Sequence, residues 1–177
     1  MIAAALGLAS SGGCTRASGD GGPTPSASMA PVVTATASVD REAADRAAVE
    51  QAYRQFWLVT WSVDREHPAS DWRRVVAAVA VDPELSLVVS GTQRLRQNGL
   101  TSYGEPVPHP RVLPVLGAGV ARVRDCQDAS HSGQAEVATG RARTVGVARN
   151  PVEAVLVRGA DGRWRVSRLS FPGGSCS

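Results

Sequence analysis

The chain has 177 residues, enough for one domain, and 43% of them are hydrophobic, which is ordinary for a globular protein. Its net charge of +3 comes from 19 basic residues, all of them arginine, scattered among 16 acidic ones. A protein that binds nucleic acid usually gathers its positive charge on one face. The composition therefore argues against nucleic acid as a partner.

Residues 1–14 are similar to a bacterial lipoprotein signal peptide. A short apolar stretch, Ile2 to Leu8, is followed by small residues and then by Cys14. In such peptides the cysteine is acylated and becomes the mature N-terminus, so the resemblance implies a lipid anchor at Cys14. No basic residue precedes the apolar stretch, and Ser11 stands where the pattern prefers leucine. An ordinary cleaved signal peptide, and a cytoplasmic protein with a loose apolar tail, are the alternatives.

The three cysteines and the composition of the next segment fit export. Residues 15–39 are rich in Gly, Ser, Thr, Ala and Pro, which predicts a disordered tether before a single domain at 40–177. With Cys14 assigned to the anchor, Cys126 and Cys176 remain, and we predict a disulfide between them. Two free buried thiols are the alternative if the protein is cytoplasmic. The predicted location is extracytoplasmic, either on the outer face of the membrane or secreted.

Helical signals come first in the domain. Apolar residues at helical spacing predict a first helix from about Asp40 to Trp61, and Ser70 is a candidate cap for a second at 71–81. Asp82-Pro83-Glu84 is typical of a helix start, and Asn98-Gly99 of a helix end. These two signals predict a third helix between them.

Strand signals follow the helices. Four prolines between 106 and 114 favour an irregular crossing or an edge strand. Alternation then predicts one long strand at 112–126, a polar loop at 127–133 and a short strand at 145–147. Gly159-Ala160-Asp161-Gly162 is typical of a turn, which predicts a closing hairpin between residues 152–158 and 163–171.

Helices followed by antiparallel strands predict an α+β domain in which helices pack on a curved, mainly antiparallel sheet. The hairpin segment Asp161 to Val166 (DGRWRV) resembles the cone-shaped superfamily of nuclear transport factor two, which implies a cone or cystatin-like roll. Asp125 to Ser130 (DCQDAS), the hairpin and the terminal GGSC together resemble a group of actinobacterial lipoproteins and secreted proteins. The resemblance spans most of residues 44–176 and implies no established activity.

No motif predicts a catalytic residue, a metal ligand or a cofactor. The patterns HExxH, CxxC, GxGxxG, GxSxG and the P-loop are all missing from the sequence. Candidates for a ligand-facing set combine aromatic residues of the first helix with polar residues near Cys126, namely Tyr53, Trp57, Asp125, Asp128 and His131. For the first two residues a place in a helix–sheet core is the favoured interpretation, and for the last two a place in a solvated loop.

Three functions are compatible with this sequence. The first is a non-enzymatic, lipid-anchored domain that binds an envelope protein or a small ligand, because a flexible tether lets a domain reach a partner. The second is a cone-fold enzyme of isomerase or cyclase type acting on a small hydrophobic substrate. The third is an accessory part of a secretion, conjugation or cell-wall machine. A carboxylic acid with a raised pKa in an apolar cavity would favour the enzyme.

Overall fold

The computed structural model describes residues 34–113, 119–174 and 176, and for 34–40 it describes the backbone helix alone. The predicted signal peptide, the acylation of Cys14 and most of the predicted tether lie outside the described residues. Within them, three helices precede six strands, as the sequence predicts for an α+β domain. The helices are α1 (Thr34–Glu66), α2 (Trp72–Val76) and α3 (Glu84–Gln97), and the strands are β1 (Leu100–Tyr103), β2 (Pro110–Val112), β3 (Val120–Gln127), β4 (Gly133–Glu136), β5 (Asn150–Arg158) and β6 (Trp164–Ser170).

The strands form two antiparallel sheets. The larger has the order β2-β3-β5-β6, and the smaller joins β1 to β4. A register shift between Val155 and Leu156 marks an irregularity opposite β6, and such bulges bend and twist a sheet. The segment after α2 covers the outer side of β6, where the backbones of Val79 and Val81 both hydrogen-bond to Val166.

One hydrophobic core lies between α1 and the inner face of the larger sheet. α1 contributes residues spaced by three, four or seven positions, and the strands contribute every second residue; the fully or almost fully buried ones include Val49, Tyr53, Phe56, Val63, Ala121, Val123, Leu156 and Val166. The opposite face of the sheet carries exposed charged residues. Arg111, Arg122, Arg124 and Arg168 are exposed there, together with Glu153.

The predicted disulfide between Cys126 and Cys176 is confirmed. Their Cα atoms are 5.7 Å apart, and the bond closes a loop with a sequence separation of 50. The two ends meet because β3 ends beside the start of β5, where Cys126 pairs with Pro151, and β6 ends beside the same part of β5. The bond therefore ties the C-terminal segment to the sheet.

The helix predictions need two corrections. α1 begins at Thr34, before the predicted Asp40 and inside the segment predicted as tether, and it continues to Glu66. The predicted second helix at 71–81 is helical only over Trp72–Val76. Pairing of Val79 and Val81 with β6 takes the backbone out of the helix, so a tertiary contact overrides local helical periodicity.

The strand predictions were right for the closing hairpin and wrong in three places. The segment 112–126 is not one strand, because Val112 pairs antiparallel with Val123 and the chain therefore reverses between them. β1 and β4 were missed; β4 begins inside the segment that was predicted as a loop. Residues 145–147 form no strand and are exposed or only partly buried.

Among the helices of the described residues, none combines the length and the apolar character that a membrane crossing requires.

Candidate functional site

Two of the candidate residues from distant parts of the sequence meet in the core. The Tyr53 hydroxyl on α1 donates a hydrogen bond of 2.9 Å to Oδ2 of Asp125 on β3. The backbone N–H of His109 donates a second, of 2.6 Å, to Oδ1 of the same carboxylate. Tyr53 is fully buried and Asp125 is 6% exposed. The sequence analysis named both residues but did not predict that they bond to each other.

The surroundings of this pair shift both groups toward their protonated forms. Burial raises the pKa of the Asp125 carboxyl, and the hydrogen bonds from Tyr53 and His109 oppose that shift. Burial, followed by the negative charge of Asp125, raises the pKa of the Tyr53 hydroxyl. Neither residue lines any of the hollows described below. The pair is thus a buried link between α1 and the sheet.

Trp57, one turn along α1, connects this core to the surface. Its ring packs edge-on against Tyr53 and Phe56, with ring centroids 6.2 and 5.5 Å apart. On its other side it meets Trp61 at 6.4 Å. The Trp61 indole N–H donates a hydrogen bond of 3.1 Å to the carbonyl oxygen of Tyr103, which fixes that ring at the edge of β1.

Two hollows open on either side of these tryptophans. One, of about 310 Å³, lies between α1, α3 and the end of β6 and includes Leu87 and Glu84 in its lining. The other, of about 270 Å³, lies against the ends of β3, β4 and β5. Four residues line both hollows, namely Trp57, Trp61, Gln134 and Phe171. We call the two hollows together the aromatic groove.

The aromatic groove exposes large apolar side chains. Phe171 is 60% exposed and Leu87 is 58% exposed, and both lie in its lining. Pockets that bind small molecules are usually lined mainly by apolar and aromatic side chains with a few polar groups. The groove has that character, and of the candidates from the sequence only Trp57 lines it.

Asp128 and His131 do not join the groove. Asp128 Oδ1 accepts hydrogen bonds from the backbone N–H and the hydroxyl of Ser130, at 2.9 and 2.7 Å. These bonds hold the pKa of Asp128 below its usual value. His131, the residue after Ser130 in the same loop, is exposed. Neither side chain lines a hollow, and Asp128 stabilises the turn that carries both.

Glu84, at the start of α3, is a site residue that the sequence analysis missed. It is buried at the edge of the groove, and its Oε2 accepts a hydrogen bond of 2.9 Å from the backbone N–H of Leu169. Burial raises the pKa of its carboxyl, and the Leu169 N–H opposes the shift. The sequence analysis placed Glu84 at a helix start, and only the tertiary structure brings its carboxylate to β6.

Gln127 is the other residue that the sequence analysis did not single out. Its side chain lines the smaller hollow and is 2% exposed. Oε1 of Gln127 accepts a long hydrogen bond of 3.5 Å from Asn150, whereas Nε2 is buried without a partner. The Trp57 Nε1 is buried as well and lies near the Tyr53 hydroxyl, where its N–H opposes the rise in the pKa of that hydroxyl. Trp164 Nε1 is a third such atom, away from the groove.

Comparisons with known proteins give a fold and no family. No protein-family model matches the sequence, and a search of curated proteins finds no significant match. Among solved structures, the intermembrane space region of the chloroplast protein ARC6 is similar at a TM-score of 0.54 and 10% identity, covering 73% of this chain and 98% of that one.

Two further solved structures are similar at lower scores. One is a ketosteroid isomerase-like protein from Erwinia carotovora atroseptica SCRI1043 (TM-score 0.47, 18% identity, 73% of this chain and 98% of that one). The other is a protein from Catenulispora acidiphila in complex with S-DNPA (TM-score 0.47, 17% identity, 72% and 92%). At these identities the likeness concerns the fold alone. The described residues themselves show an α+β fold, with helices packed on a curved antiparallel sheet and a disulfide that ties the C-terminal segment to it.

Proposed function

We propose that this protein is an extracytoplasmic binding domain that takes a small apolar ligand in the aromatic groove. The observation that carries the proposal is the groove itself, where Trp57, Trp61, Phe171 and Leu87 present apolar surface around two adjoining hollows. Exposed apolar patches of this kind mark interaction sites on soluble domains. Among the functions compatible with the sequence, this proposal corresponds to the first, a non-enzymatic binding domain, with a small molecule as its ligand.

The placement of the acid–base groups favours binding over catalysis. Tyr53 and Asp125 are bonded to each other outside the groove. Glu84 does line the groove, and its raised pKa is the observation that favours the second candidate, an enzyme acting on a small hydrophobic substrate. Its Oε2 is already occupied by the Leu169 N–H, which gives the carboxylate a structural role at the edge of β6.

The disulfide supports a location outside the cytoplasm, because such bonds persist in oxidising compartments. The similar region of ARC6 lies, by its description, in an intermembrane space. Anchoring through a lipid on Cys14 is part of the proposal and rests on the sequence of residues 1–14. A diacylglyceryl group would hold the protein on the membrane, since two acyl chains bind far more stably than one.

Binding of a neutral apolar dye tests the groove. We expect N-phenyl-1-naphthylamine to bind the full oxidised chain at one saturable site. A Phe171→Ala/Leu87→Ala double variant should bind the dye at least tenfold more weakly, about 1.4 kcal/mol, because it removes exposed apolar surface from the groove. Fluorescence titration measures both affinities.

A Val107→Ala variant is the matched control for this titration, because Val107 is also an exposed aliphatic residue but does not line the groove. Its affinity should equal that of the wild type. Unchanged affinity in the double variant would refute the groove as the site. For the enzyme alternative, mass spectrometry of a ligand recovered after incubation would show a converted product rather than the molecule that was added.

The intact mass of the protein from its native host tests location and anchor. We expect the membrane fraction to yield a chain that begins at Cys14 with a diacylglyceryl group and has lost two hydrogen atoms to the Cys126–Cys176 bond. A Cys14→Ser variant should leave the membrane and keep the disulfide. A soluble, unmodified wild-type chain with both domain thiols free would refute the extracytoplasmic location, and a co-purifying protein would favour the accessory-component hypothesis.

A further inference from the structure

We propose that the outer face of the larger sheet holds a phosphate-binding site, in a hollow that three arginines line. The hollow has a volume of about 290 Å³, and Arg122, Arg124 and Arg168 belong to its lining. It shares no lining residue with the aromatic groove. The hollow and the groove are therefore separate sites.

The strand register brings the three arginines together. Arg122 on β3 and Arg168 on β6 both pair with Val155 of β5, so their side chains leave the same face of the sheet on either side of it. Arg124 lies two residues along β3 and shares that face. All three arginines are exposed. Neighbouring strands are about 4.8 Å apart, so side chains as long as arginine can contact one anion above β5 from both sides.

Positive charge is in excess around this hollow. Arg124 Nε lies 3.3 Å from Glu153 Oε1 in an ion pair, whereas Arg122 and Arg168 form no ion pair within the described residues. Arg111 stands directly opposite Arg124 on the neighbouring strand. Like charges at such positions destabilise a sheet, and a bound anion would offset that cost. With three guanidinium groups and one carboxylate, the lining has two positive charges left for a ligand.

A phosphate group matches this excess better than a carboxylate does. A phosphate monoester carries about −1.5 to −2 charges at neutral pH and offers three acceptor oxygens, whereas a carboxylate carries a single charge. Guanidinium groups bind such oxygens through two parallel N–H donors. The Ser170 hydroxyl, in the same lining, can donate a further hydrogen bond. The ligand is therefore a phosphate ion or a phosphate monoester, either in solution or as the headgroup of a lipid.

Calorimetric titration of the full oxidised chain with inorganic phosphate, at about 50 mM sodium chloride, tests the site. We expect a single phosphate to bind saturably, and acetate to bind about tenfold more weakly. An Arg122→Gln/Arg168→Gln variant should bind phosphate about tenfold more weakly or worse. An Arg41→Gln/Arg94→Gln variant loses the same charge at two exposed arginines outside this hollow and should bind like the wild type. Absence of saturable binding, or equal losses in both variants, would overturn the proposal.

A Glu153→Gln variant should change the affinity in the opposite direction. It removes the carboxylate from the lining and frees Arg124, so phosphate should bind about threefold more tightly. Glu42→Gln frees Arg46 on α1 in the same way and should leave the affinity unchanged. Because a damaged fold does not raise affinity, this gain decides even if the double arginine variant does not fold. Unchanged or weaker binding by Glu153→Gln would overturn the site.

Vesicles identify the source of the phosphate. The Cys14→Ser chain, which has no acyl anchor of its own, is sedimented with phosphatidylcholine vesicles that contain or lack phosphatidic acid. Sedimentation only with phosphatidic acid, reversed by inorganic phosphate and lost with Arg122→Gln/Arg168→Gln, would support a lipid headgroup as the ligand. Calorimetric binding of inorganic phosphate without sedimentation would support a soluble phosphate. Both results are independent of dye binding, which tests the aromatic groove.

Discussion

We expect the replacement of both Cys126 and Cys176 with alanine to lower the free energy of unfolding by about 4 kcal/mol. The bond closes a loop with a sequence separation of 50, and in the chain-entropy model a loop of that length restricts the unfolded chain by this amount. The loss is large because small domains have a net stability of only about 5–15 kcal/mol. Urea unfolding of the two proteins, monitored by tryptophan fluorescence, measures the difference.

The disulfide experiment has two built-in controls. A Cys14→Ser variant keeps the domain bond and should unfold like the wild type. Wild-type protein unfolded in a strong reductant should resemble the double alanine variant. A difference below about 1 kcal/mol would contradict the loop-closure argument and would mean that the reduced, unfolded chain is already restricted near these residues.

The second large effect concerns the buried pair. Asp125→Ala removes the acceptor of both the Tyr53 hydroxyl and the His109 N–H, and we expect it to destabilise the protein by about 3 kcal/mol, since each buried donor left unpaired costs about 1–3 kcal/mol. Tyr53→Phe, which leaves the carboxylate one donor, should cost about 2 kcal/mol. The double variant should cost less than the sum, because the two residues interact directly.

Asp128→Ala is the matched control for Asp125→Ala. Asp128 also accepts two hydrogen bonds, but it lies in a turn and is only half-buried. Its replacement should cost about 1 kcal/mol or less, because solvent can take over the freed donors of Ser130. Strictly additive effects of Tyr53→Phe and Asp125→Ala would contradict the proposed link between α1 and β3.

Local sequence patterns predicted those parts of the fold that depend on them. The apolar spacing around Tyr53 identified α1, the turn residues around Asp161 identified the hairpin of β5 and β6, and the count of cysteines identified the disulfide. The sequence analysis missed β1 and β4 because each is four residues long and they form a separate two-stranded sheet. Four residues are too few for a periodic pattern to stand out.

The candidate site was predicted in part, and the reason is also physical. Tyr53, Trp57 and Asp125 were singled out as a ligand-facing set, but an aromatic residue on a helix gives the same pattern whether it is packed in the core or lines a groove. Glu84 and Gln127 acquire their roles only through contacts with β6 and with the hollow beside β3. Such contacts join residues far apart in sequence, so no local pattern reports them.

The edges of the larger sheet determine whether copies of this domain can join their sheets at high protein concentration. On one side, β2 is three residues long and begins with Pro110, which has no N–H to donate. On the other side, Val79, Val81 and the Glu84 carboxylate occupy the backbone of β6. Long open edges are where another chain adds a strand and where aggregation begins. Copies of this domain would therefore meet through side chains rather than through added strands, and the outer face that they would present carries arginines on three of the four strands and Glu153 on the fourth.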